Sequence, residues 1–95
     1  MLLWIVQVHF PPDAIDAAED QGVSITEIRA VLGTTPNWID DLDEVTRTVL
    51  GKTPAGRLIT VVIVEQPNGG WNLWTAFEAG LTEQIKWNHI FGEQQ

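Results

Sequence analysis

Arg47, Lys52 and Arg57 are three of the five positive residues in this chain, and they fall within one strand–loop–strand stretch. Folding the stretch brings its strand ends at 50 and 57 together, so the spacing predicts that the three cations converge. Cleavage of RNA through its own 2′-hydroxyl requires positive groups on the phosphate, a base for the hydroxyl and an acid for the leaving oxygen. This cluster supplies the first of these. The competing reading is charge that solubilises a hairpin and protects its edge.

Other chemistry is poorly supported. Ser24 is the single serine, no Gly-x-Ser-x-Gly elbow surrounds it, and the Ser24–Glu27 spacing explains it as a helix cap. Gly51-Lys52-Thr53 resembles the end of a phosphate loop, but Thr46 stands where the earlier glycine is required and Pro54 forbids an immediate helix. Asp40, Asp41, Asp43 and Glu44 lack the spacing of a calcium loop and read as a solvated acidic segment. His9 and His89 are the only histidines, and cysteine is absent, which excludes thiolate zinc sites, multi-histidine metal sites within one chain and disulfides. His9 closes an apolar strand before two prolines and reads first as a strand-end residue, with a catalytic or ligand role as the alternative. No cofactor is implied. Five tryptophans without a tyrosine are unusual; Trp71 and Trp74 fall on opposite faces of one strand, so one is expected in the core and the other exposed or in an interface.

Charge bears on the choice of partner. Nine of the thirteen acids lie before residue 45, opposed only by Arg29, so the first 44 residues carry the whole net charge of −8. Such a surface repels phosphate backbones, and nucleic-acid affinity needs a local basic patch. The composition, 44% hydrophobic and 19% charged, is that of a globular chain, and 95 residues predict one domain over 1–95. The apolar stretch Met1 to Val6 is too short to span a bilayer and lacks a basic leader segment. The expected location is the cytoplasm.

The elements that must position these residues follow from periodicity and punctuation. Leu2 to Val8 reads as a strand stopped by Pro11-Pro12, and Asp13 to Gln21 as a short helix with a small-residue face and an acidic face. A capping box opens a second helix whose Ile25, Ile28, Val31 and Leu32 recur at helical spacing until Gly33. Pro36 to Glu44 reads as a turn-rich acidic stretch anchored by Trp38 and Ile39. Strands follow at Val45–Leu50, Arg57–Glu65 and Trp71–Phe77, the middle one apolar on both faces and therefore central, with a hairpin turn at Pro67–Gly70. Thr82 to Phe91 is predicted helical, with Ile85, Trp87, Ile90 and Phe91 as its apolar content. The predicted class is α+β: an antiparallel meander with an N-terminal strand, two short N-terminal helices and a C-terminal helix, the helices on one face of the sheet.

The succession of helix, Gly22-Val23-Ser24 turn, capped helix, acidic gap, the run from Gly51 through Gly56-Arg57 to Val62, and Trp74-Thr75-Ala76-Phe77-Glu78-Ala79 resembles BrnT-type toxins and related small domains of unknown function. These are similar in fold to RelE-type ribonuclease toxins. The resemblance covers about residues 9–79, and its most telling piece is the spaced glycine pair with arginine before an apolar strand. It implies a cytoplasmic toxin–antitoxin module in which the toxin cleaves RNA and a partner that also binds DNA neutralises it. The family commonly carries a polar residue such as histidine where Asp13 opens the first helix, basic residues where this chain has Ala17 and Gln21, and arginine where it has Phe77.

Two functions follow. In the first, a toxin-like protein acts on RNA with Arg57 and Lys52 on the phosphate, Arg47 assisting, and Glu78 or His9 as base. In the second, a non-catalytic module on the same scaffold uses its acidic surface to meet a basic partner, antitoxin-like or DNA-binding. Self-association as a dimer through the Trp71–Phe77 strand or the 81–91 helix is compatible with either.

Overall fold

The computed structural model of the chain describes residues 8–33, 37–67 and 69–91. Its element order is β1 (Val8–His9), α1 (Pro12–Asp20), α2 (Ile25–Gly33), β2 (Asn37–Asp41), β3 (Thr46–Lys52), β4 (Leu58–Glu65), β5 (Trp71–Glu78) and α3 (Leu81–Phe91). The strands form one sheet in the order β1-β5-β4-β3-β2, with β1 parallel to β5 and the remaining pairs antiparallel. The α+β class and the central place of β4 agree with the sequence. The part of the expected first strand before Val8, Trp4 included, lies outside the described residues.

Local chemistry fixes the helical layer. Pro11 and Pro12 open α1, where a missing N–H is harmless. The helix ends in a Schellman motif: Val23 N–H donates to the Ala18 carbonyl at 2.9 Å and Gly22 N–H to the Glu19 carbonyl at 2.9 Å. Gly22 takes φ +83, the left-handed conformation this motif needs. The capping box forms as expected, with Glu27 N–H donating to Ser24 Oγ at 3.2 Å and Ser24 N–H donating to Glu27 Oε1 at 3.0 Å.

The main core lies between these two helices and one face of the sheet. Ala14 and Ala18 of α1, Ile28 and Val31 of α2, and Val49, Ile59, Val61, Ile63, Leu73 and Ala76 of the strands are buried together. Gly51 marks the closest approach of α2 to β3: a Cβ there would sit 3.1 Å from Val31 Cγ1.

The structure corrects three expectations. The segment after Pro36 is not only turn: Asn37–Asp41 pairs along β3 as an edge strand. Its acids are tolerated because an edge strand leaves one side to solvent, while Ile39 packs against the core. The helices are not on one face. Leu50 and Leu58 point away from Val49 and Ile59, so they form a second cluster with Ala79, which α3 covers using Trp87 and Phe91. A central strand apolar on both faces demands this second cover. Ile85, expected in the apolar content of α3, is exposed instead.

The last strand contains a bulge. Val62 pairs with Thr75 and Ile63 with Leu73, which leaves Trp74 as the extra residue. The bulge keeps Thr75 on the side of Trp74 and returns Ala76 to the core; Trp71 is buried and Trp74 is 60% exposed. That division between the two tryptophans is the one expected from the sequence.

Candidate functional site

The β3–β4 connection holds Lys52 and Arg57 close together. Thr53 N–H donates to the Arg57 carbonyl at 2.8 Å, and Arg57 N–H donates back to Thr53 Oγ1 at 3.1 Å. The start of β4 lies beside the end of β5, because Ile59 pairs with Glu78. Lys52, Arg57 and Glu78 thus line one shallow cleft of about 280 Å³, shared with Trp87 and Asn88 of α3.

Arg47 and His9 are elsewhere. Arg47 stands five residues back along β3, about 17 Å from Lys52 and facing the other side of the sheet. It pairs with Asp41 and lies over the Trp71 ring at 4.9 Å. His9 is in register with Asn72, six residues from Glu78 along β5 and about 20 Å away. The predicted convergence of three cations therefore reduces to two, because a long hairpin brings together its loop-proximal ends and not its whole arms. Of the two candidate bases, only Glu78 is placed beside the basic pair.

Arg57 is heavily committed. Its Nη1 donates to both carboxylate oxygens of Glu27, at 3.0 and 2.9 Å, and to the Gly22 carbonyl at 2.8 Å. Its Nη2 lies 3.6 Å from Glu78 Oε1. The Glu27 contact raises the Arg57 pKa further above its ordinary value, so the guanidinium stays charged. Lys52 differs: among the described residues it makes no ion pair, and its ammonium lies 6.0 Å from the Trp87 ring centroid. The other cations are engaged as well, Lys86 with Asp40 at 2.6 Å and Arg29 over the Phe10 ring at 5.5 Å.

Glu27 is the residue that sequence reasoning saw only as a cap. One carboxylate closes the capping box and also clamps Arg57 across 30 residues, joining the α1–α2 turn to the head of β4. A buriable carboxylate in a capping box with a lone arginine opening the central strand was the only available hint. The Ser24 amide, with Arg57 as the further contributor, holds the Glu27 carboxyl below its ordinary value near 4.5, partial burial opposing. A depressed folded-state pKa gives stability that is present above the unfolded value and lost as pH falls through the folded one. We therefore expect the melting temperature to fall as pH drops below about 4.5, and Glu27→Gln to show a shallower fall. The gap between the two proteins should close in acid. Parallel pH profiles would refute the assignment.

Asp43 is likewise held low, by the Val45 amide first and then by Thr46, and this pins the β2–β3 turn. Around it Asp41, Leu42, Glu44 and Val45 are exposed. The acids of α1, Asp13, Asp16, Glu19 and Asp20, are all exposed too. Among the described residues, no three His, Asp or Glu side chains are gathered in a group that could hold a metal ion. No described helix is long and apolar enough to cross a membrane. The chain matches no family model and none of the curated proteins with which it was compared.

Proposed function

We propose that this chain is a non-catalytic, acidic protein-binding module. The observation that supports this reading is the engagement of Arg57 Nη1 by the Glu27 carboxylate and the Gly22 carbonyl, with Glu78 beside Nη2. A phosphate seeking that guanidinium would have to compete with the Glu27 carboxylate at Nη1 or approach Glu78 at Nη2. Lys52 alone is then left to attract an anion, against a net charge of −8. The binding surface is the exposed acidic face of α1 together with the β2–β3 turn, where carboxylates surround Leu42 and Val45. Its partner is a basic protein with an apolar anchor, of the kind an antitoxin or a DNA-binding protein presents. Charge sets the encounter rate and the selectivity, and the apolar pair supplies the desolvated contact.

One observation favours the ribonuclease reading: Lys52, Arg57 and Glu78 share a cleft. There Lys52 would hold the phosphate and Glu78 would take the 2′-hydroxyl proton. Two measurements separate the readings. Purified protein is incubated with RNA beside Lys52→Ala/Arg57→Ala, and no cleavage above a mock preparation is expected from either. A synthetic helical peptide with lysines on one face and leucines on the other is then titrated into the full chain and followed by amide NMR shifts. Saturable shifts confined to α1 and residues 41–45, several-fold weaker at 300 than at about 50 mM salt, are expected. RNA cleavage lost in the double variant, or peptide binding that ignores salt, would overturn the proposal.

A further inference from the structure

The face of the sheet opposite α1 and α2 is only partly covered. Its side chains stand in two cross-strand rows, Asp40, Thr48, Val62 and Thr75 in one and Trp38, Leu50, Thr60 and Phe77 in the other. α3 seals the Leu50–Leu58 end. Beyond it a cleft of about 380 Å³ remains, floored by both rows. Glu83 and Lys86 of α3 form one wall and Trp74 another. The Lys86–Asp40 ion pair, 2.6 Å long, spans from the helix to β2.

Two features distinguish this cleft from a bare patch of sheet. The first is Thr60. The run from Leu58 to Val64 is otherwise wholly aliphatic, and Thr60 is its only hydroxyl. The residue is 4% exposed, and among the described residues its Oγ1 has no hydrogen-bond partner. A buried hydroxyl without a partner is unfavourable, and valine, used twice in the next two positions, has the same shape without that penalty. A ligand oxygen in the cleft would give Oγ1 its partner. Because Oγ1 is itself buried, a turn about χ1, which exchanges the hydroxyl and methyl between staggered positions, would be needed to present the oxygen to the cleft. The second feature is the bulge, which places Trp74 and Thr75 consecutively on the cleft side, so that the indole stands beside the floor. Bulges commonly re-aim a side chain at a site.

The lining selects the ligand. Leu50, Val62, Phe77 and Trp74 offer apolar and aromatic surface. Thr60 offers one hydrogen bond, as donor or acceptor. Lys86 offsets Asp40, which leaves Glu83 as the uncompensated charge at the rim, so an anion is disfavoured. The volume lies within the range of small-molecule pockets, about 300–1,000 Å³. We propose that this cleft binds an uncharged, flat, mainly apolar molecule carrying one hydroxyl or carbonyl oxygen, which hydrogen-bonds to Thr60. This inference does not depend on the protein-binding reading, although Leu42 of the β2–β3 turn also lines the cleft.

Three probes of one shape test it on the full chain: 2-naphthol, naphthalene and 2-naphthoate, followed by amide NMR shifts. 2-Naphthol should give saturable shifts at residues 48, 60, 62 and 74–77. Naphthalene should bind more weakly, and 2-naphthoate more weakly still. Thr60→Val should weaken 2-naphthol about fivefold and leave naphthalene unchanged. Thr60→Ser, which keeps the hydroxyl, should retain the preference for 2-naphthol over naphthalene. Shifts scattered over the surface, no saturation at the solubility limit of 2-naphthol, or equal binding of 2-naphthol by wild type and Thr60→Val would each overturn the proposal.

Discussion

Ile59→Ala is expected to cost about 4 kcal/mol. Ile59 is fully buried on the central strand, within the larger cluster. Its backbone is fixed on both sides, by register with Gly51 of β3 and with Glu78 of β5. Above it α2 is already as close to β3 as Gly51 permits, with Val31 against that glycine. Neither layer can collapse into the void, so the cavity term adds to the lost transfer energy. Domains of this size have only about 5–15 kcal/mol in hand. A melting temperature lower by about 20 °C, with an unchanged slope of urea unfolding, is the expected result. Ile59→Val should cost only about 1 kcal/mol. Val62→Ala is the internal comparison: Val62 faces the cleft, where the wall is open, and its loss should be smaller. A cost below about 1.5 kcal/mol at Ile59 would contradict this account of where the core is rigid.

The elements that the sequence specified well are those whose determinants are local. The Ser24–Glu27 box, the Gly22 stop and the aliphatic run of β4 each sit within a few residues, and each forms as read. β2 was not legible because its strand character comes from its partner. Asn37-Trp38-Ile39-Asp40-Asp41 has turn-forming and acidic residues at most positions, and only pairing with β3 and the packing of Ile39 make it extended. The side on which α3 packs was implicit in the two-faced apolarity of β4, since a helix on each face is what such a strand requires. The bulge had no such trace, although without it the alternation in β5 would put Thr75 into the core and Ala76 out.

The site was legible in part for the same reason. Lys52 and Arg57 are close in sequence and stay close in space. Their carboxylate neighbours come from distant segments: Glu78 through sheet register, Glu27 through the docking of α2. A cation looks free in sequence when its partner is 30 residues away, and Arg57 is such a case. The reading of the basic hairpin as phosphate-binding therefore depended on what the rest of the chain brought to it.

Trp87→Ala is expected to detach α3 while the sheet and its two other helices stay folded. Trp87 is the one buried side chain of α3, packed against Phe91 with ring centroids 4.3 Å apart and the rings tilted by 46°, and seated on Leu50, Leu58 and Ala79. Among the described residues the other attachments are slight: the partly buried Phe91, the exposed Lys86–Asp40 pair and a hydrogen bond from Gln84 Nε2 to the Ala79 carbonyl at 3.1 Å. Truncating a buried tryptophan removes about 3–5 kcal/mol, and an 11-residue helix is marginal once its packing is lost. The main core lies on the far side of the sheet, so the loss stays local. Amides of residues 81–91 should exchange with solvent at least about 100-fold faster, while those of β3, β4 and β5 keep most of their protection. Equal acceleration in both sets would show instead that α3 and the sheet unfold as one unit. The same variant bears on the cleft, because Glu83 and Lys86 leave with the helix. 2-Naphthol binding should then be abolished, where Thr60→Val only weakens it. Loss of the wall and loss of the hydrogen bond are thereby told apart: the first removes the site for naphthalene as well, the second leaves naphthalene binding intact.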